Sequence, residues 1–214
     1  MNRIVLVRHG ESIWHAENRY AGHSDVPLSS RGLQQAAHLA AWARDAGLGA
    51  VWSSTLARAK CTAQPAADAA GLPLQLDERL VEIDFGRGEG LTGAEMEDRF
   101  PAERAAFIRD PILHYLPGGE DPKHAVERGI AALRDIVSAA PGERCLVVAH
   151  NTLIRLMLCC LLNIPLSNYR IVFPQVATGT LAEIALPSSP DGTTALLAFN
   201  APLILKKGRG RFSG

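Results

Sequence analysis

Arg3-Ile4-Val5-Leu6-Val7-Arg8-His9-Gly10-Glu11-Ser12 is an unbroken apolar run that stops at a cation, an imidazole and a glycine. A strand buried on both faces of a parallel sheet reads this way, and the abrupt polar stop marks the loop into which it empties. In open α/β sheets ligands bind beyond the carboxyl ends of the strands. Arg8 and His9 stand at such an end.

The same arrangement recurs along the chain. Residues 50–52 form a short apolar strand closing on Ser53-Ser54, and the helix that follows near Thr55 carries Arg58 in its first turn. Cys145-Leu146-Val147-Val148-Ala149 is another continuous apolar strand, stopping at His150-Asn151-Thr152 before an apolar helix over 153–162. A third short strand spans 72–76, and Glu82 follows it, ahead of the glycine-studded loop Gly86-Arg87-Gly88-Glu89-Gly90. Leu28-Ser29-Ser30-Arg31-Gly32 offers a hydroxyl cap for a helix with Leu33, Ala36, Ala37, Ala40 and Ala43 on one face, ending at Gly47. Pro65 is expected to kink or end the second helix. Residues 92–110 read as helix cut by Pro101, a small excursion placed to cover the active edge, and 125–140 as an amphipathic helix. Three further strands are expected at 169–173, 180–185 and 195–199, with a hairpin turn over 188–192.

Composition narrows the class. The 214 residues are 47% hydrophobic and 21% charged, as in ordinary globular chains. Lys plus Arg equals Asp plus Glu at 22 each, so no global field attracts nucleic acid or membrane. Any anion must be gripped locally. The first strand begins too early for a separate signal sequence, and the stretch 153–162, interrupted by Arg155, is too short to span a bilayer. Cys61, Cys145, Cys159 and Cys160 lack metal-ligand spacing and read as buried free thiols. The expected compartment is the cytoplasm.

If one parallel sheet gathers these strand ends, Arg8, His9, Arg58, His150 and Glu82 share an edge. Two guanidiniums and an imidazole suit a phosphate dianion, whose oxygens match planar donors. The remaining imidazole, His9, is then a nucleophile that takes the phosphoryl group on one nitrogen while the other donates to a fixed acceptor. Glu82 protonates the leaving alkoxide, then activates water, and needs an apolar or anionic setting to do so. The cations do the work that metal ions do elsewhere, so no metal and no cofactor are expected.

Arg8-His9-Gly10-Glu11 resembles the signature of the histidine phosphatase superfamily, also called phosphoglycerate mutase-like. The likeness continues through residues 24–29, through Ser53-Ser54-Thr55-Leu56-Ala57-Arg58-Ala59, through Glu82 with the loop 86–92, through Pro117-Gly118-Gly119-Glu120 as a substrate-side loop, and through Val147-Val148-Ala149-His150. It implies a three-layer α/β/α sandwich on a mixed, mostly parallel sheet. It also implies His9 as nucleophile, Glu82 as proton donor and Arg8, Arg58 and His150 as phosphate ligands. His15 stands where the family often has Asn, Gly88 where a bulky aromatic is common, and Asn151 where Gly is usual. His15, Gly22 and Asn151 are candidate pocket positions.

The implied organisation is one catalytic domain over 1–205 with 86–122 as a helical insertion, and a basic tail at 206–214. The expected activity is metal-independent hydrolysis of a small phosphorylated metabolite. A phosphoglycerate mutase-type transfer is the alternative, disfavoured because Ile83 follows Glu82 where mutases commonly carry Arg and because the excursion is short. A catalytically silent module of the same fold is disfavoured because all five groups are present. A dinucleotide-binding domain ranks last, since no G-x-G-x-x-G follows the first strand.

Overall fold

The computed structural model describes residues 2–187 and 192–203. Its strands are β1 Asn2–Arg8, β2 Ala50–Ser54, β3 Leu74–Asp77, β4 Arg144–Ala149, β5 Thr180–Leu186 and β6 Ala195–Pro202. They form one sheet in the order β3-β2-β4-β1-β5-β6. The pairs β1–β4, β4–β2 and β2–β3 are parallel, while β5 and β6 are antiparallel additions. The helices are α1 Ser30–Ala43, α2 Ala57–Ala70, α3 Gly93–Arg99, α4 Pro101–Arg109, α5 Pro122–Ala139, α6 Asn151–Leu161 and α7 Tyr169–Val172.

Alternation along the central strands builds two cores. Val5, Val7, Leu146 and Val148 face α1 and α2, where Leu39, Trp42 and the small residues Ala59, Ala63, Ala66 and Ala67 pack closely. Ile4, Leu6, Cys145, Val147 and Ala149 face α5 and α6, meeting Ile130, Leu133, Leu153 and Met157. The sheet is therefore covered on both sides, which is what the unbroken apolar runs require. A separate small core of Met96, Phe100, Phe107 and Leu116 folds α3 and α4 into a compact excursion.

Several expectations need correction. Residues 169–173 are not a strand: α7 runs over Tyr169–Val172, and Tyr169 and Phe173, four apart, are buried while Ile171 is 77% exposed. The β-branched composition suggested a period of two, but the burial follows the helical one. Leu33 is also exposed, and α1 buries Ala36, Leu39, Trp42 and Ala43 instead. Pro65 does not end α2, which continues to Ala70. The carbonyl it deprives of a partner belongs to exposed Cys61, where water can satisfy it. All four cysteines are free as expected, but only Cys145 and Cys159 are buried. The expected turn at 188–192 falls largely on residues 188–191, and the basic tail on 206–214, both outside the described residues.

The loop after β1 is pressed against the start of α1. Ser29 donates its backbone N–H to the Glu11 carbonyl, and its hydroxyl accepts from Gly32 N–H as a cap. A Cβ on Gly32 would lie 2.0 Å from the Glu11 carbonyl oxygen, and one on Gly10 2.6 Å from that of Gly32. Neither backbone can yield. Gly32→Ala should therefore cost about 1–3 kcal/mol as an overpacking change, lowering Tm in a thermal melt by roughly 2–12 °C for a chain of this size. Helix propensity alone predicts the opposite sign, so a Tm at or above wild type contradicts the close approach.

Candidate active site

Register brings the polar residues together. Arg8 pairs with Ala149, and His9 N–H extends that ladder to the Ala149 carbonyl at 3.0 Å, so His9 and His150 are neighbours beyond adjacent strands. Their ring centroids are 5.1 Å apart. Ser53 pairs with Val148, which sets Ser54 beside His150, and α2 begins three residues later with Arg58 in its first turn.

His9 is 5% exposed, and its Nδ1 donates to the Gly10 carbonyl at 2.7 Å. That bond places the lone pair on Nε2. His150 is fully buried, and its Nε2 lies 2.8 Å from the Ser54 hydroxyl. The Ser54 oxygen accepts from Leu56 N–H, and in the tautomer whose Nε2 takes the Ser54 proton, His150 Nδ1 is an N–H donor. Arg58 is fully buried, and its terminal nitrogens donate to the carbonyls of Ala21, Gly22 and Ser24. Arg8 donates to the Val176 carbonyl and contacts His15 Nε2. Among the described residues, Arg8 Nε, Arg58 Nε, His150 Nδ1 and, on β2, Trp52 Nε1 are buried without a hydrogen-bond partner. Unsatisfied buried polar groups are costly, and three of these four belong to the residues expected to bind phosphate.

Glu82 is 4% exposed and close enough to Arg8 and Arg58 to influence both charges. Its setting is neither apolar nor anionic, contrary to expectation. Oε1 accepts from Ile83 and Leu153 N–H, and Oε2 from Thr152 N–H, so the carboxylate sits on the amino end of α6. Oε2 keeps a lone pair open. The Pro117 to Glu120 segment is a brace and not a substrate loop: Glu120 holds Arg128 through two bonds, and Arg128 grips the carbonyls of Arg79, Val81 and Glu82.

A cavity of about 640 Å³ opens over His9, Arg8 and Glu82. Arg58 and His150 lie behind its wall. Of the candidate pocket positions, His15 and Asn151 line it, and the side-chain Oδ1 of Asn151 accepts from Val176 N–H. Gly22 does not: it is buried between Arg58 and the acid segment, where a Cβ would meet Glu89 Oε1 at 2.0 Å. Gly88 lies against Leu116 and Met96, so the excursion's core occupies the space an aromatic would need. Sequence reasoning missed Arg104, Arg155, Arg170, Tyr20, Phe107 and Tyr169, which form the outer wall. The one available signal was Arg155, a cation inside an otherwise apolar helix. Among the described residues, no cluster of His, Cys, Asp or Glu could hold a metal ion, and no helix is long and apolar enough to cross a membrane.

Burial, then the charges of Arg58 and Arg8, holds the His9 pKa well below its usual range. Burial and then Arg58 do the same to His150. Burial and then Arg8 bring His15 down to about 4. All three rings are thus neutral near pH 7. The unfolded chain takes up protons on them below pH ~6.5, the fold does not, so acid favours unfolding. Stability should be flat above pH 7 and fall between pH 6.5 and about 4, by up to ~1.4 kcal/mol per pH unit per histidine. His15→Asn should remove one histidine's share of that slope in urea titrations. An unchanged slope would place His15 in solvent, outside the buried cluster.

Residues 4–189 match the histidine phosphatase superfamily, branch 1. A curated relative from Enterobacter sp. (strain 638), named "Probable phosphoglycerate mutase GpmB", is 35% identical over 165 residues, 77% of each chain. Among solved structures, Bacillus stearothermophilus YhfR superposes with a TM-score of 0.86 at 28% identity, covering 94% of this chain and 98% of that one. A mycobacterial glucosyl-3-phosphoglycerate phosphatase in complex with VO3 gives 0.85 at 26% identity, covering 94% and 100%. With its mixed sheet, its two helical layers and an Arg-His-Gly stretch at the carboxyl edge, the chain belongs to the histidine phosphatase superfamily.

Proposed function

We propose that the protein is a metal-independent phosphomonoesterase that hydrolyses a small organic phosphate through a phosphohistidine on His9. The observation that carries this reading is the pairing of a neutral imidazole, its Nδ1 fixed by the Gly10 carbonyl, with three buried nitrogens of Arg8, Arg58 and His150 that have no partner among the described residues. A phosphoryl group facing His9 would give those donors oxygens to bind. Arg8, Arg58 and His150 supply charge and N–H groups in a site shielded from water, where such contacts act most strongly on a developing trigonal phosphoryl group.

In the first half-reaction the Nε2 lone pair of His9 forms the N–P bond as the P–O bond to the alcohol breaks. The phosphate dianion bound beside Glu82 supplies the anionic setting that the protein alone does not, and in that complex Glu82 gives a proton from Oε2 to the departing oxygen. In the second, water attacks phosphorus and passes a proton to Glu82 as the N–P bond breaks, which restores His9 and releases inorganic phosphate. The Arg128–Glu120 brace keeps the Glu82 backbone in place through both steps. The substrate is a small phosphorylated metabolite and not a nucleic acid, in keeping with a chain of zero formal net charge. Four free thiols support a reducing, cytoplasmic compartment.

A second reading, transfer of the phosphoryl group between positions of a sugar acid, is favoured by the name of the GpmB relative. It requires that water be kept from the phosphoenzyme. Isotope exchange between phosphoglycerate isomers, primed with the bisphosphate, separates the two: fast exchange with negligible phosphate release selects the mutase.

Purified protein in excess chelator should release inorganic phosphate from p-nitrophenyl phosphate. His9→Ala should reduce kcat/KM by roughly three orders of magnitude or more. Glu82→Gln should cost ~10²–10⁴-fold on an alkyl phosphate, and less on p-nitrophenyl phosphate, whose leaving group needs little protonation. Wild-type activity abolished by the chelator, or retained by His9→Ala, overturns the proposal.

A further inference from the structure

The cavity holds more positive charge than one phosphate requires. Arg8, Arg104, Arg155 and Arg170 line it and Arg58 lies behind it, while Glu82 is the carboxylate on its inner wall. Among the described residues, none of these five guanidiniums has a carboxylate within salt-bridge distance. Arg19, also at the cavity, is paired with Glu17 and Glu95. Arg8 and Arg58 belong with His9. Arg104, Arg155 and Arg170 do not.

Those three are held in an alternating ladder with aromatic rings. Arg104 lies 5.6 Å from the Tyr20 centroid and 5.8 Å from that of Phe107. Arg170 lies 4.6 Å from Phe107 and 5.5 Å from Tyr169, and Arg155 lies 4.6 Å from Tyr169. Such contacts fix a guanidinium without using its donors. Arg155 spends only Nε, on the Phe173 carbonyl, and Arg104 only one terminal nitrogen, on the Tyr20 hydroxyl. Arg170 gives Nε to the Tyr169 hydroxyl and one terminal nitrogen to the carbonyls of Phe107 and Ile108. Each keeps at least one terminal nitrogen without a protein partner among the described residues. Gly93 leaves space for Arg104, whose terminal nitrogen would lie 3.0 Å from a Cβ there. Burial and the neighbouring Arg170 both act against the Arg155 charge, so the fold maintains this cation at a cost.

Resting on the phosphomonoesterase reading, we propose that Arg104, Arg155 and Arg170 form a second anion subsite, and that the substrate is a phosphomonoester bearing a second anionic group, a carboxylate or a phosphoryl. Glu82 and one phosphate dianion answer three of the five charges. On the far side of the cavity a carboxylate answers one of the remaining two and a phosphoryl dianion both. Bidentate guanidinium contacts at that end would anchor the molecule while its phosphorus faces His9, turning remote binding energy into positioning at the reacting atom.

The test compares kcat/KM for alkyl phosphates of increasing chain length with the ω-carboxyalkyl phosphates and α,ω-bisphosphates of matching length, where leaving-group chemistry is nearly constant. At least one doubly anionic member should exceed its neutral counterpart tenfold or more, with a higher kcat as well as a lower KM. The carboxylate and bisphosphate arms identify which anion the subsite takes. In Arg155→Gln and Arg170→Gln the ratio between the two members of the best pair should fall at least fivefold. Arg104→Gln, on the excursion, provides a third reading if either of those variants fails to fold. No preference at any length, or a preference that survives all the folded variants, overturns the subsite. Absence of phosphate release from every compound, neutral ones included, would instead count against the phosphomonoesterase reading itself.

Discussion

The structure turns on an arginine that, among the described residues, has no carboxylate within salt-bridge distance. Arg58 is fully buried, its terminal nitrogens spent on three carbonyls of the 21–24 loop and its Nε without a partner among the described residues. A buried cation of this kind is tolerated only if its hydrogen bonds are nearly complete and something returns the missing electrostatic energy. The neighbouring loop is shaped around that requirement. Gly22 can have no side chain because its Cα lies against Glu89 and the Ile83 carbonyl, and Glu89 in turn accepts from His23 and Ser24 N–H. The cation therefore organises the second loop, and the second loop locates the acid segment. Burial, and after it this same cation, keep His9 and His150 unprotonated, which is what a nitrogen nucleophile requires.

Much of this was legible from the residues. Apolar runs ending in Arg8-His9 and in His150 identify buried parallel strands, and strict alternation then places one set of side chains on each face. What pattern could not supply was the neighbour relation. Nothing in the sequence says that β1 pairs with β4, yet that register is what brings His9 to His150. The 169–173 segment misled because Tyr, Ile, Val and Phe are good strand formers, whereas packing of Tyr169 and Phe173 on one side selected a helical turn. Leu33 misled for a different reason: its spacing was helical, but the face that α1 buries runs through Gly32, Ala36, Leu39, Trp42 and Ala43 and leaves Leu33 outside it.

The outer wall of the site was illegible because its members come from α4, α6 and α7 with no shared motif. Arg155 interrupts an apolar helix and Arg104 sits in an unremarkable polar stretch; only tertiary structure places both beside Tyr20, Phe107 and Tyr169. Glu82 shows a related gap. An apolar or anionic setting was expected for it, whereas it is cradled by backbone N–H groups at the start of α6, about seventy residues away in sequence. This cradle ties the acid to the helix that starts beyond His150, so that histidine and the carboxyl group share a rigid support.

The central claim is that the unpartnered donors of Arg8, Arg58 and His150 converge with His9 Nε2 on a single phosphoryl position. A crystal structure of the protein soaked with vanadate tests this most directly. The account predicts vanadium within bonding distance of His9 Nε2, its oxygens accepting from both arginines and from His150 Nδ1. Vanadate bound elsewhere, or facing His9 with those three donors still unpaired, would contradict it.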